Sequence, residues 1–170
     1  MSIFDLFKTK VKETQKAESV TGPSAEEKKA ELIRAKKQDF ICDLENLAFN
    51  FIGDSDIYPS GYWTEKYAKK LDNANESYGH HTEGQHFLLV DTTTFGKADN
   101  GFIITSHGIA LCEAHEDEGK FISYNQMNKI QGTDSGITIN NRKYEFYATT
   151  TINKLRPVFT LINKNLELYN

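Results

Sequence analysis

Long apolar runs are missing from this sequence, and so are most of the signatures that announce a specialised chemistry. Nowhere do the ~18 consecutive apolar residues of a membrane-spanning helix occur, and residues 1–10 lack the ~7–15 apolar residues of a signal peptide. The expected location is therefore the cytoplasm. Cysteine is scarce: Cys42 and Cys112 lie far apart with no C-x-x-C pair, which argues against a disulfide framework and for two buried thiols in a reducing compartment. No nucleotide fingerprint is present, because Gly96, Gly101, Gly108, Gly119, Gly132 and Gly136 occur singly, as turn residues do. An excess of positive charge is missing too. With 20 basic against 24 acidic residues the formal charge is -4 and the signs are mixed, so no field tracks a polyanion and nucleic acid is not an expected partner.

What is present is enough to fold. Apolar residues make up 38% of 170, with eleven Phe and eight Tyr spread along the chain, which suits one well-cored domain plus an appendage. Three segments are expected: a flexible amphipathic stretch at 1–23, a helical extension at 24–84 and a β domain at 85–170. In the first, Ile3, Phe4, Phe7 and Val11 share one face of a short basic helix. Such a face makes weak, reversible contact with a membrane, so a peripheral position at the inner membrane face is the alternative location. In the second, Ser24 and Glu27 form the S-x-x-E box that satisfies free amides at a helix start. That helix is polar at first and then carries an apolar stripe of Phe40, Ile41, Leu44, Leu47, Ala48, Phe51 and Ile52. Residues 53–60 read as a turn, and Tyr62, Trp63, Tyr67 and Leu71 mark a second helix.

Beyond residue 85 the period changes. FLLVDTTTF, GFIITSHGIALCEAH, KFISYNQMNKI, GITIN and KYEFYA are rich in β-branched and aromatic residues and bounded by turn formers, predicting five to seven antiparallel strands. Asn140 and Asn141 sit between two alternating runs, and Asn tolerates the positive φ of a tight hairpin. The chain closes with an amphipathic helix whose stripe is Leu155, Val158, Phe159, Ile162 and Leu166, with Thr150 or Thr151 as cap and Pro157 as an internal irregularity. The fold class is α+β: a helical segment, then an antiparallel β-sandwich or partly open barrel capped by a C-terminal helix.

This order resembles a pleckstrin-homology-like (PH-like) domain. The run from Asp91 through Thr92, Phe95, Gly96, Ala98, Gly101, Phe102, Thr105, Gly108 and Ile109 to Phe121, Ile122, Ser123 and Tyr124 is similar to a pattern of bacterial PH-like domains. The resemblance covers about half of the chain, and residues 25–71 lie outside it. It implies an accessory module joined to varied partner segments, and it implies fold more than function.

Few residues group as chemistry demands. His80, His81, Glu83 and His86 crowd a polar loop and are weak candidates for a metal site, with no H-E-x-x-H or cysteine pair to support them. Cys112 and His115 invite a nucleophile-and-base reading, but strand alternation puts Cys112 on the face of Ala110 and Ala114, where a core thiol belongs. Asp54 and Asp56 fit a turn better than a calcium loop, since no bidentate Glu follows. For partner binding, two surfaces stand out: the aromatics Tyr58, Tyr62, Trp63 and Tyr67, and the acidic turn of Glu113, Glu116, Asp117 and Glu118. The default explanations are internal packing for the aromatics and a solvated loop for the acidic turn.

The leading expectation is a non-enzymatic protein-interaction module without a cofactor, whose partner is another protein or a second copy. Lys97 stands alone where a phosphoinositide site would need a cluster of cations. An immunity-type protein that neutralises a basic toxin is the alternative, and a small metal-dependent hydrolase using His80, His81 and His86 is a third.

Overall fold

The computed structural model of the chain describes residues 22–61, 65–78, 82–93, 96–116, 118–147 and 150–170. The chain divides into two units, residues 1–32 and 33–170. In the first, the described part is the start of helix α1 (Ala25–Ala48). The expected capping box is there: the Ser24 amide donates to Glu27 Oε2 (2.6 Å) and the Glu27 amide to Ser24 Oγ (3.1 Å). Residues 25–32 are exposed throughout, as their polar sequence requires.

The second unit is α+β. After α1 come β1 (Ile57–Pro59), α2 (Glu65–Ser77), β2 (His86–Asp91), β3 (Gly101–Thr105), β4 (Gly108–Cys112) and β5 (Lys120–Ser123). Then follow β6 (Ile130–Thr133), β7 (Gly136–Ile139), β8 (Arg142–Glu145), α3 (Thr150–Lys154) and α4 (Arg156–Asn165). The strands form two antiparallel sheets in sequence order, β1 to β5 and β6 to β8, with no closure into a barrel among the described strands.

Register explains the layering. Tyr58, Leu89, Ile103, Ala110 and Phe121 are cross-strand partners in a single row across all five strands of the large sheet. Because side chains alternate along a strand, this row faces one side, and α2 covers it with Tyr67, Leu71 and Ala74. The adjacent rows, carrying Leu88, Val90, Phe102, Ile104, Ile109 and Leu111, face the other way, into the main core with β6 to β8, α4 and the Phe40 and Leu44 side of α1. A sheet covered on both faces has no polar side, which is why β2 to β4 read as continuous apolar runs.

Several local expectations shift. The turn composition of residues 53–60 hides β1, a three-residue edge strand paired with β2. The run GFIITSHGIALC is two strands, separated by a turn in which Thr105 Oγ1 accepts from the amides of His107 and Gly108, both at 3.1 Å. The closing helix breaks at Leu155, and Pro157 lies in the first turn of α4, where its missing N–H costs no hydrogen bond. Cys112 is buried, but Cys42 is exposed on α1 and is not the core thiol the sequence suggested; it sits off the stripe that Phe40 and Leu44 bury. No helix among the described residues is long and apolar enough to cross a membrane.

The hairpin between β7 and β8 turns as expected, with Asn140 at φ 53° and Asn141 at φ 76°. Asn140 also binds the chain before β6: Oδ1 accepts from the Asn128 amide (2.6 Å) and Nδ2 donates to the Gln126 carbonyl (2.5 Å). Asn140→Ala loses both these bonds and strains the backbone, so urea unfolding is expected to show a loss of about 2–3 kcal/mol. Asn140→Gly keeps the backbone angle and recovers about 1 kcal/mol of that; equal losses would contradict the backbone share.

Candidate functional site

The resemblance motif is occupied with holding itself together. Lys70, on α2, reaches under the segment after β2 and pairs with Asp91, while donating to the Gly96 carbonyl at 2.5 Å and lying over the Tyr58 ring at 5.0 Å. Both side chains of the pair are nearly inaccessible. The other Asp91 oxygen, Oδ1, accepts from the Thr93 amide (2.9 Å) and Thr93 Oγ1 (2.6 Å); Thr93 Oγ1 in turn accepts from the Lys97 amide (2.8 Å). Burial alone pulls the Lys70 ammonium down, but the hydrogen bond and charge of Asp91 outweigh it and the net shift is upward. Gly101 belongs to the same frame: its φ is 139°, and a Cβ there would lie 2.0 Å from the Val90 carbonyl. Tyr124 closes the far end by donating to the Thr105 carbonyl at 2.9 Å.

The sequence-predicted aromatics divide. Tyr58 and Tyr67 are buried and spend their surface on α2's own packing, their rings 6.3 Å apart; Tyr62 and Trp63 lie outside the described residues. In the acidic turn, Glu113 is largely covered and accepts from Lys120 (2.7 Å), with Arg142 at 3.7 Å. Glu116 shares Lys120 at 2.8 Å, a bond that holds its carboxyl below the usual value. Lys120 and Arg142 thus offset the two carboxylates internally and stack over Tyr144. Glu118 is exposed, and Asp117 lies outside the described residues, as do Ile3, Phe4 and Phe7.

Of the histidine loop, His80 and His81 are outside the described residues, while His86 opens β2, half-buried, with Nε2 3.0 Å from Thr82 Oγ1. No group of three His, Cys, Asp or Glu placed to hold a metal occurs among the described residues. Burial lowers the His86 pKa below its ordinary 6.5.

The surface with the clearest capacity to bind was not foreseen. A groove of about 250 Å3 runs between β6 and α4, lined by Lys129, Gln131, Gly132, Arg156, Thr160 and Asn163 over a floor of Ile130 and Phe159. Two larger hollows lie elsewhere. One, about 400 Å3, is lined by Glu45, Ser60, Gly61, Gly84, Gln85 and His86; the other, about 330 Å3, mixes both charge signs. The β6 groove alone of these three has cations without a lining carboxylate, and neither Lys129 nor Arg156 has an ion-pair partner among the described residues. Its sequence signal is the polar stripe Arg156, Thr160 and Asn163, spaced to share one helix face beside the apolar Val158, Phe159 and Ile162.

Chain-wide comparison adds no relative: no protein-family model matches this chain, nor does any curated protein or solved structure.

Lys70→Met leaves the Asp91 carboxylate buried without its cation, and an equilibrium unfolding loss of about 3–5 kcal/mol is expected. The Lys70→Met/Asp91→Asn double variant should lose less than the sum of the singles, whereas strict additivity would mean the pair is uncoupled. For His86, the folded chain resists the proton that the unfolded chain accepts near pH 6.5. Stability is therefore full above that value and declines as the pH falls through it. Unfolding midpoints at about pH 7.5 and pH 5.5 should differ less in His86→Gln than in the native sequence; parallel midpoints would count against the burial argument.

Proposed function

We propose that the chain is a non-enzymatic, PH-like protein-binding module of the cytoplasm that holds a segment of a partner protein in the groove between β6 and α4. The observation that carries this reading is the groove itself, where an edge strand lies beside a helix and two cations have no ion-pair partner among the described residues. The architecture supports it as well. Antiparallel sheets, a C-terminal helix, and a motif whose Asp91 carboxylate is spent on the fold leave recognition to surfaces such as this one. Cys42 is exposed on α1 and Cys112 lies buried at the end of β4, two scarce and widely separated cysteines of the kind that suits a reducing compartment. The acidic turn is a poorer docking surface, since Glu113 and Glu116 are held by Lys120.

Site-specific photo-crosslinking in the protein's own cells tests this. A full-length chain carrying a photoreactive residue in place of Gln131 is expected to give a discrete protein adduct. The same residue in place of Glu118 should not. Adducts from position 118 alone would favour the toxin-neutralising alternative, and none from 131 would overturn the groove.

A further inference from the structure

Building on that reading, we infer that the groove accepts an acidic, extended peptide segment as an added strand on β6, paired at Gly132 and stopped at Ile130 by the Asn163 side chain. The ladder supplies the geometry. The Asn140 amide donates to the Lys129 carbonyl at 3.0 Å, so Lys129 turns its polar backbone groups inward toward β7. Hydrogen-bonding direction alternates along an antiparallel pair, and the register Ile130↔Ile139, Gln131↔Thr138, Gly132↔Ile137 runs without a bulge. Gln131 therefore also bonds inward, while Ile130 and Gly132 present N–H and C=O to the open edge.

At Ile130 both outward groups are occupied. Asn163, from α4, accepts from its amide through Oδ1 (2.8 Å) and donates to its carbonyl through Nδ2 (2.7 Å). One amide side chain thus makes the two bonds that a neighbouring strand would make. Gly132 has no such clasp among the described residues, so the edge offers one donor and one acceptor there. Open strand edges are templates for pairing with another chain.

The rim selects the occupant. Lys129 and Arg156 line the groove, and no carboxylate does, so a segment carrying Glu or Asp gains charge complementarity that a basic one forfeits. Gly132 also lets the strand pack closely on α3 and α4, since a Cβ there would lie 3.0 Å from Ile152 Cγ2 and 3.4 Å from Phe159 Cε2. Two backbone bonds are few, so the ion pairs contribute a large share of the affinity and make it salt-dependent.

The test uses the full-length, 15N-labelled chain and three capped decapeptides: alternating Val and Glu, alternating Val and Lys, and the Val/Glu peptide N-methylated at every second residue. The Val/Glu peptide is expected to shift the amides of Gln131 and Gly132. Its affinity should fall about 5- to 30-fold with Lys129→Glu and Arg156→Glu together, from the loss and reversal of exposed ion pairs. The Val/Lys peptide and the N-methylated peptide should bind at least about 10-fold more weakly than Val/Glu. In Asn163→Ala the peptide's footprint should extend to Ile130. Equal binding of both charge signs, indifference to N-methylation, or shifts away from β6 would overturn the inference. A Gln131 crosslink without Val/Glu binding would leave the groove standing and reject its acidic occupant; failure of both would remove the groove itself.

Discussion

Burial of the five-stranded sheet on both faces is the constraint from which the rest of the structure follows. The row Tyr58–Leu89–Ile103–Ala110–Phe121 is apolar, yet it points away from the main core. Left open to water it would be a contiguous apolar patch, so α2 must lie across it, with Tyr67, Leu71 and Ala74 facing in. That requirement puts Lys70 beneath the segment after β2, and the ammonium then finds both a carboxylate and a carbonyl. The polar part of the motif is thus the consequence of an apolar need. Burying its ions is tolerable because the Asp91 carboxylate is bonded on both oxygens, by Lys70 on one and by Thr93 on the other.

On the opposite face the same logic places α4. Val158, Phe159 and Ile162 enter the main core, Phe159 with its ring 6.5 Å from that of Phe102. A helix seated by one stripe presents the neighbouring stripe to whatever lies alongside, and here that is the edge of β6. Arg156, Thr160 and Asn163 become the wall of a groove for that reason. Asn163 protects part of the strand edge, which is a familiar hazard in sheets, and leaves the part beside Gly132 open in a groove that two cations line. Structural covering and capacity to bind are therefore adjacent on one helix.

Local features were the legible ones. The Ser24–Glu27 box, the Asn140–Asn141 turn and the apolar stripe of the closing helix depend on residues a few positions apart, and each formed where its chemistry pointed. The Pro157 irregularity was visible too, though the sequence did not show that Leu155 would end one helix and Pro157 begin another. What could not be read depends on distant partners. β1 is three residues long and exists only because β2 pairs with it, so its turn-like composition prevailed in the sequence. Lys70 looks like any surface lysine until Asp91, 21 residues on, is folded beneath α2. Tyr58 and Tyr67 looked like surplus aromatics because the row that Tyr58 joins and Tyr67 covers is assembled from five strands. Asn163 gives no signal at all apart from its helical spacing, since its partner Ile130 lies 33 residues earlier.

β6 carries one clasped and one open outward backbone position. Residue-resolved amide hydrogen exchange of the isolated full-length chain measures this directly. Slow exchange is expected at Ile130, held by Asn163, and at Gln131, held by β7, with Gly132 between β6's protected residues exchanging much faster. Protection of Gly132 equal to that of Gln131 would contradict it, because the edge would then already be filled.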